Sequence, residues 1–268
     1  MKTSISKDAV VVSSDSLKSK NPCAIVDSNA DFVNALFEEQ LKPEEISKEA
    51  LYSYYVAYYV MEVENGGLGQ FVFNSGEGDH IFKYVAEGLQ AMKADRHLKL
   101  FSKVVDYLER NPDFSDEYLD SDSDEDELDV LSDRFFELCE KKEDLWALNG
   151  AWLKGLPNLV AVTKEEMMDE ARRRGEALPD REERIAEACA NEPEYVKLIL
   201  ALCERAGQTL SRVTAGDPSQ LYNGSPTIAW YFITDQGLHH MIEAGGKAIM
   251  FKGESTTKVC EVDASCKD

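Results

Sequence analysis

The chain has 268 residues, of which 43% are hydrophobic and 30% are charged, and its 51 acidic and 29 basic residues give a formal net charge of −22. These proportions are those of a globular protein and exclude a collagen-like or wholly disordered chain. An acidic surplus of this size repels the phosphates of nucleic acid. Direct binding to DNA or RNA is therefore excluded, and basic proteins are the expected partners.

Hydropathy and cysteine spacing indicate the compartment. No run of 18 apolar residues is present, and the apolar stretch at 9–12 is too short for a secretory leader. The six cysteines are scattered and form no C-x-x-C pair. We therefore expect a cytoplasmic protein with no membrane segment, no disulfide framework, no metal site and no cofactor.

The first part of the chain predicts helices. Residues 1–28 show little periodicity and are expected to form a mobile arm. A second predicted helix opens at Pro43, carries tyrosines and valines on every face, and is expected to be buried and to stop at Asn65-Gly66-Gly67. The helices predicted over this part cover 31–41, 43–64, 79–92, 98–108, 126–140 and 146–156.

The period of the apolar pattern changes from 3.6 to 2 after Pro218. Before that point, helices are predicted over 163–174, 180–190 and 193–210; after it, strands are predicted over 228–234, 238–244, 247–251 and 256–262. We predict an α+β, mostly α fold: a helical domain over 29–156, then an α+β region over 157–268. That region is expected to carry the chain's only sheet, a small antiparallel β-meander within 220–264.

Catalytic and metal-binding motifs are missing from the sequence. It contains no G-x-S-x-G elbow, no phosphate loop and no H-E-x-x-H, so a non-enzymatic protein is expected. The run Asp120-x-Asp122-x-Asp124 lacks the turn glycine of an EF-hand and leaves only loose binding of divalent cations open. His239 and His240 lie in a predicted strand, which would direct their imidazoles to opposite faces.

The charge is concentrated in residues 113–144, which hold fifteen acids and three bases. On the helix predicted there, an apolar stripe of Leu128, Leu131, Phe135 and Leu138 lies opposite a stripe of acids. The acidic stripe predicts a partner-binding surface, although any solvated helix face shows the same pattern. Its predicted members are Asp122, Asp124, Asp126, Asp129, Asp133, Glu137 and Glu140.

The segment at 58–75, YYVMEVENGGLGQFVFNS, resembles the signature of a bacterial family of unknown function. The characterised member of that family is a small, dimeric, all-helical DNA mimic that binds a transcription factor. The similarity extends over about residues 30–155 and includes the acidic helix DELDVLSDRFFEL, whereas the C-terminal part of the chain lies outside it. The matched signature positions are Asn65, Gly66, Gly67, Gln70, Phe71 and Asn74. We interpret them as a structural corner in which the glycines allow an αL turn and the amides satisfy buried backbone groups.

Three specific functions are compatible with these observations, and an interaction module of unknown kind is the remaining alternative. The leading hypothesis, implied by the resemblance and the charge, is an acidic regulator that mimics DNA and binds a basic DNA-binding protein, with a homodimer possible. The second is an immunity or antitoxin-like protein that neutralises a basic toxin through the same surface. The third is an enzyme with an unrecognised site at Glu62, Glu64 and the Asn-Gly-Gly corner.

Overall fold

A computed structural model describes residues 5–76, 79–112, 114 and 127–264, and these residues divide between two compact units. Unit 1 is Met1–Arg181 and unit 2 is Glu182–Asp268. The fold is α+β and mostly α, as the sequence predicts. No helix in the described ranges is long and apolar enough to cross a membrane.

Helices build most of unit 1, and each predicted apolar stripe between residues 79 and 156 lies on one of them. The residues at 43–45 form a short 3-10 turn, Pro43–Glu45, and the long helix begins after it. The helices are α1 (Ser14–Lys18), α2 (Pro22–Glu38), α3 (Lys48–Ser75), α4 (Asp79–Ala91), α5 (Asp95–Arg110), α6 (Glu127–Lys141), α7 (Leu145–Lys154) and α8 (Lys164–Glu176).

Helix α3 is the central element of unit 1, as its aromatic composition predicts. Tyr59 is fully buried, and its ring lies 4.9 Å from that of Phe71, 5.3 Å from that of Phe101 and 5.4 Å from that of Phe135. These edge-to-face contacts join α3 to α5 and α6. Because such pairs add to the free energy of burial, this aromatic cluster fixes the position of both neighbouring helices.

The expectation of a mobile arm over 1–28 is wrong for its described part. Strand β1 (Val10–Ser13) pairs in parallel with β2 (Leu159–Val162), so the prediction of a single sheet is also wrong. The side chains at 10–12 are fully buried, and α1 and α2 follow directly. Burial of three valines stabilises this segment in a way that its Ser- and Lys-rich composition does not reveal.

A buried arginine holds the residues before β1. Arg174 on α8 donates to the carbonyl oxygens of Ser6 at 2.9 Å and Lys7 at 3.0 Å, and to the carboxylate of Glu170 at 2.9 Å. Both side chains of the Arg174–Glu170 pair are only 7% exposed. Strand β1 is thus held in place by β2 and α8, which lie after residue 156. Unit 1 therefore extends past the domain boundary predicted at 156, as far as residue 181.

Unit 2 is a five-stranded antiparallel meander with α10 (Glu194–Ala206) on one face. Helix α9 (Arg181–Asn191) precedes α10, and the strands run in the order β3 (Leu210–Tyr222), β4 (Ser225–Thr234), β5 (Gly237–Ala244), β6 (Lys247–Lys252) and β7 (Lys258–Asp263). The four predicted strands are confirmed. Strand β3 was missed, and the helix predicted over 193–210 ends at Ala206, where Gly207 adopts a left-handed conformation with φ 65°.

Candidate functional site

Helix α6 presents the acidic stripe because its opposite side is buried. Leu128, Leu131, Phe135 and Leu138 are each no more than 8% exposed. At about 100° per residue, Asp129, Asp133, Glu137 and Glu140 fall on the other side of the same helix. The burial of the apolar stripe therefore settles which way the acids face.

The acids of the stripe differ in their surroundings. Asp129, Asp133 and Glu140 are exposed, whereas Glu137 is partly buried and pairs with Arg134 at 2.5 Å and Lys141 at 3.6 Å. The charge of Arg134 is the largest cause that lowers the pKa of Glu137, and Lys141 lowers it further. The predicted partner residues Asp122, Asp124 and Asp126 lie outside the described residues.

Two apolar side chains, which the sequence reasoning did not single out, flank the acidic stripe. Val130 is 60% exposed and Phe136 is 38% exposed, and at about 100° per residue they fall on opposite flanks of the stripe. The Phe136 ring lies 5.7 Å from that of Phe135, which is fully buried. The signal that could have revealed both residues is their position off the Leu–Phe stripe of an amphipathic helix.

The glycines of the signature break α3 without ending it. Gly66 has φ −156° and ψ 26°, and Gly67 has φ 77° and ψ −176°, after which helical backbone resumes as far as Ser75. The conformation of Gly67 is one that essentially only glycine adopts. The sequence correctly places a positive φ here, but Gly67 is not in the αL conformation and the chain continues as helix.

The signature amides bind a carboxylate, which corrects the interpretation that they satisfy buried backbone. Gln70 Nε2 donates to Glu62 Oε2 at 3.0 Å, and Asn74 Nδ2 donates to the same oxygen at 2.6 Å. Because the helix is broken at Gly66–Gly67, the side chains of Gln70 and Asn74 reach the Glu62 carboxylate, although they lie 8 and 12 positions after Glu62 in the sequence. The nearby Glu64 accepts from the Trp146 indole at 3.1 Å. Both glutamates thus act in holding the corner together.

The remaining signature residues occupy opposite environments. Phe71 is fully buried and packs against Tyr59 and Phe82, with ring centroids 4.9 and 5.3 Å away. Asn65 is exposed at the break itself. The signature therefore combines a core anchor with an exposed turn.

The broken helix holds α6 through one buried hydrogen bond. Leu68, the first residue after the break, donates its backbone N–H to Ser132 Oγ at 2.9 Å, and that hydroxyl donates to the Leu128 carbonyl at 2.7 Å. A Cβ on Gly67 would lie only 3.1 Å from Ser132 Oγ. The signature and the acidic helix, which lie about 60 residues apart in the sequence, are thus in direct contact. Ser132 carried no signal in the sequence.

His97 is a buried imidazole at the start of α5. Its Nε2–H donates to the carbonyl oxygen of Glu143 at 2.9 Å, while the Glu143 carboxylate accepts from the backbone N–H groups of Arg96 and His97. Burial is the largest cause that lowers the pKa of His97. The neutral form is therefore the one that the folded protein stabilises.

The two histidines of unit 2 are also buried. The His239 Nδ1 bonds the Gly237 carbonyl at 2.9 Å and its ring stacks on Phe232, whereas His240 Nδ1 bonds the Gly253 carbonyl at 2.6 Å and its ring stacks on Phe251. The stacking partners belong to different apolar clusters, in agreement with the predicted opposite faces. Among the described residues, no group of three or more His, Cys, Asp or Glu side chains could hold a metal ion.

Residues 44–156 match the model of the DMP19-like protein family. This match takes in the Gly66–Gly67 break and α6. It leaves out β1, α1, α2, β2, α8 and all of unit 2. A search of curated proteins and a search of solved structures each returned no match for this chain.

Proposed function

We propose that this protein is a non-enzymatic regulator whose α6 surface binds a basic DNA-binding protein and competes with DNA for it. The observation that carries the proposal is the exposed acidic stripe of α6 with Val130 and Phe136 beside it. Protein interfaces combine apolar or aromatic contacts with charged and polar ones, and this helix presents both kinds of side chain on one side.

The spacing of the described acids supports mimicry of a DNA strand. Asp129 and Glu140 are eleven positions apart, which corresponds to about 16 Å along the helix. Over that length, one strand of B-DNA presents roughly five phosphates. The four described carboxylates come near that line charge, although Arg134 and Lys141 reduce it where they pair with Glu137.

The partner class follows from charge and from the family match. A net charge of −22 favours a basic partner and would speed its encounter through long-range attraction. The similarity of residues 44–156 to the DMP19-like protein family places α6 within the matched region. Together with the resemblance of residues 58–75 to a family that has a DNA-mimic member, these observations favour a partner that otherwise binds DNA.

The experiment first captures proteins from the host on the purified chain at low salt and identifies them. A captured DNA-binding protein is then loaded with fluorescent duplex DNA, and the chain is added in increasing amounts. We expect displacement of the DNA at a fixed salt concentration. In a separate titration without DNA, direct binding of the chain to the partner should weaken steeply between 50 and 300 mM salt, since screened surface charges dominate the contact.

Two variants with the same change in net charge localise the effect. The variant Asp129→Asn, Asp133→Asn, Glu140→Gln removes exposed charges of the stripe and should weaken displacement about 10-fold or more, since each surface pair contributes up to about 1 kcal/mol. The control Glu38→Gln, Glu109→Gln, Glu176→Gln removes three exposed charges elsewhere in unit 1.

Three outcomes would overturn the proposal. If both variants displace DNA equally well, the stripe is not the binding surface. Capture of a partner whose DNA stays bound would exclude mimicry. Capture of a basic toxin that loses its activity would favour the neutralising role instead.

A further inference from the structure

A groove of about 420 Å³ between α5 and α6 carries positive charge on a strongly acidic chain. Arg96, Lys99 and Lys103 line it from α5. Arg134 lines it from α6, and Lys142 lies just beyond the end of that helix. The side chains of Leu100 and Leu138, 4% and 6% exposed, form an apolar floor.

Three of these cations have no ion-pair partner among the residues that the structure describes. Arg96 pairs with Glu143 at 3.6 Å and Arg134 pairs with Glu137 at 2.5 Å. Lys99, Lys103 and Lys142 are exposed and take part in no ion pair within the described residues. Lys99 and Lys103 are four positions apart on one helix, a spacing at which like charges destabilise the helix. The repulsion between these two lysines is thus not offset by an ion pair among the described residues, although the chain has 51 acidic residues.

We propose that this groove binds an extended acidic segment of a partner protein. Charge complementarity identifies the occupant: the three lysines attract carboxylates, and the leucine floor accepts an apolar side chain between them. The cations of α5 extend over about 10 Å, which is the length of three or four residues of an extended chain. A partner for this groove is opposite in charge to the basic partner of the α6 stripe, so the proposal does not depend on that function.

The net charge of the chain makes binding of an acidic segment depend on ionic strength. At 0.15 M salt the Debye length is about 8 Å, so distant acids of the chain are screened and the cations of the groove act locally on a bound segment. Lower salt strengthens both the attraction of an acidic peptide to the groove and its repulsion from the rest of the chain, so binding is measured at physiological salt, where the local attraction is the larger contribution.

The test uses ¹⁵N-labelled full-length protein and the hexapeptide Glu-Glu-Leu-Glu-Glu-Leu at 0.15 M salt. We expect amide shifts confined to 96–103 and 134–142, and about 10-fold weaker binding for the variant Lys99→Gln, Lys103→Gln, Lys142→Gln. Replacing the same lysines by arginine keeps the charge and should leave the affinity within about 3-fold. The control Lys20→Gln, Lys48→Gln, Lys83→Gln, which neutralises exposed lysines elsewhere in unit 1, should bind as the unmodified protein does.

Other results would overturn the proposal. Equal binding by the groove variant and the control would show that the contact is not in the groove. Equal binding of the peptide Gln-Gln-Leu-Gln-Gln-Leu would show that charge is not recognised. If inorganic triphosphate shifts the same amides and the peptide does not, the site takes a small anion. If the peptide binds only after the seven acids of 115–126 are neutralised, the occupant is that segment of the chain itself.

Discussion

The substitution Ser132→Ala tests whether one buried hydroxyl couples the broken helix α3 to α6. The hydroxyl is the acceptor of the Leu68 N–H at 2.9 Å, and Leu68 is fully buried. Without Ser132 Oγ, this buried donor has neither water nor the hydroxyl as a partner. Leaving such a group unsatisfied costs about 1–3 kcal/mol. We therefore expect the free energy of unfolding of unit 1 to fall by that amount.

A matched control separates this effect from the loss of any helix serine. Ser102 on α5 also donates to the carbonyl four residues earlier, Leu98, at 3.0 Å, but it is exposed. Its replacement by alanine should change stability by no more than about 0.5 kcal/mol, since surface substitutions usually do little and alanine favours helix. The difference between the two variants therefore measures the bridging hydrogen bond.

The assay must report on unit 1 alone, and the tryptophans allow this. Trp146 and Trp152 belong to unit 1 and Trp230 to unit 2. Urea unfolding followed by fluorescence in a Trp230→Phe background therefore follows unit 1, and hydrogen exchange of the Leu68 amide provides a local measurement. If Ser132→Ala and Ser102→Ala unfold within 0.5 kcal/mol of each other and Leu68 exchange is unchanged, the reasoning is refuted.

Three further predictions concern the stability of unit 1. Gly67→Ala should lower the free energy of unfolding of unit 1 by about 1–3 kcal/mol in urea, because φ is 77° at this position. The control Gly155→Ala, where φ is −88°, should be neutral. Equal effects of the two substitutions would show that the positive φ of Gly67 is not the cause. Since burial lowers the pKa of His97, the unfolded chain binds a proton at this imidazole more tightly than the folded chain does. The free energy of unfolding should therefore fall as the pH decreases below about 6.5, by about 1.4 kcal/mol for each unit by which the pKa of His97 differs between the unfolded and folded states. If a His97→Gln variant shows the same pH profile, protonation of His97 is not responsible. Arg174→Met should destabilise unit 1 by about 3 kcal/mol, because it removes the buried ion pair with Glu170 and the hydrogen bonds to the carbonyl oxygens of Ser6 and Lys7. Limited proteolysis should then cut the chain near Lys7. Unchanged resistance to the protease would show that Arg174 does not hold this segment.

Sequence periodicity predicted the elements whose partners are close in the chain. The Leu128–Leu138 stripe correctly oriented α6, and the turns at 235–237 and 245–246 correctly separated three strands of unit 2. Strand β3 was missed because its side chains are mostly exposed and register shifts interrupt its pairing with β4, so no alternating pattern remained.

Contacts between distant positions could not be read from the pattern. The pairing of β1 with β2 and the contact of Ser132 with Leu68 depend on tertiary packing, which local periodicity does not encode. The binding of Gln70 and Asn74 to Glu62 depends on the backbone break, whose geometry a glycine pair permits but does not specify. The sequence did contain a signal for the groove between α5 and α6. Arg96, Lys99 and Lys103 follow helical spacing and share one face of α5.

The parallel pairing of β1 with β2 has a consequence for the order of folding. Val10 pairs with Leu159, so the first strand leaves the ribosome 149 positions before its partner. At about 5–20 residues per second this delay is roughly 8–30 s, during which three valines have no strand to join. Closing so large a loop is slow, which makes formation of this strand pair a late event in the folding of unit 1. Trimming the chain to residues 44–156 would remove both strands, and with them the step that completes the unit.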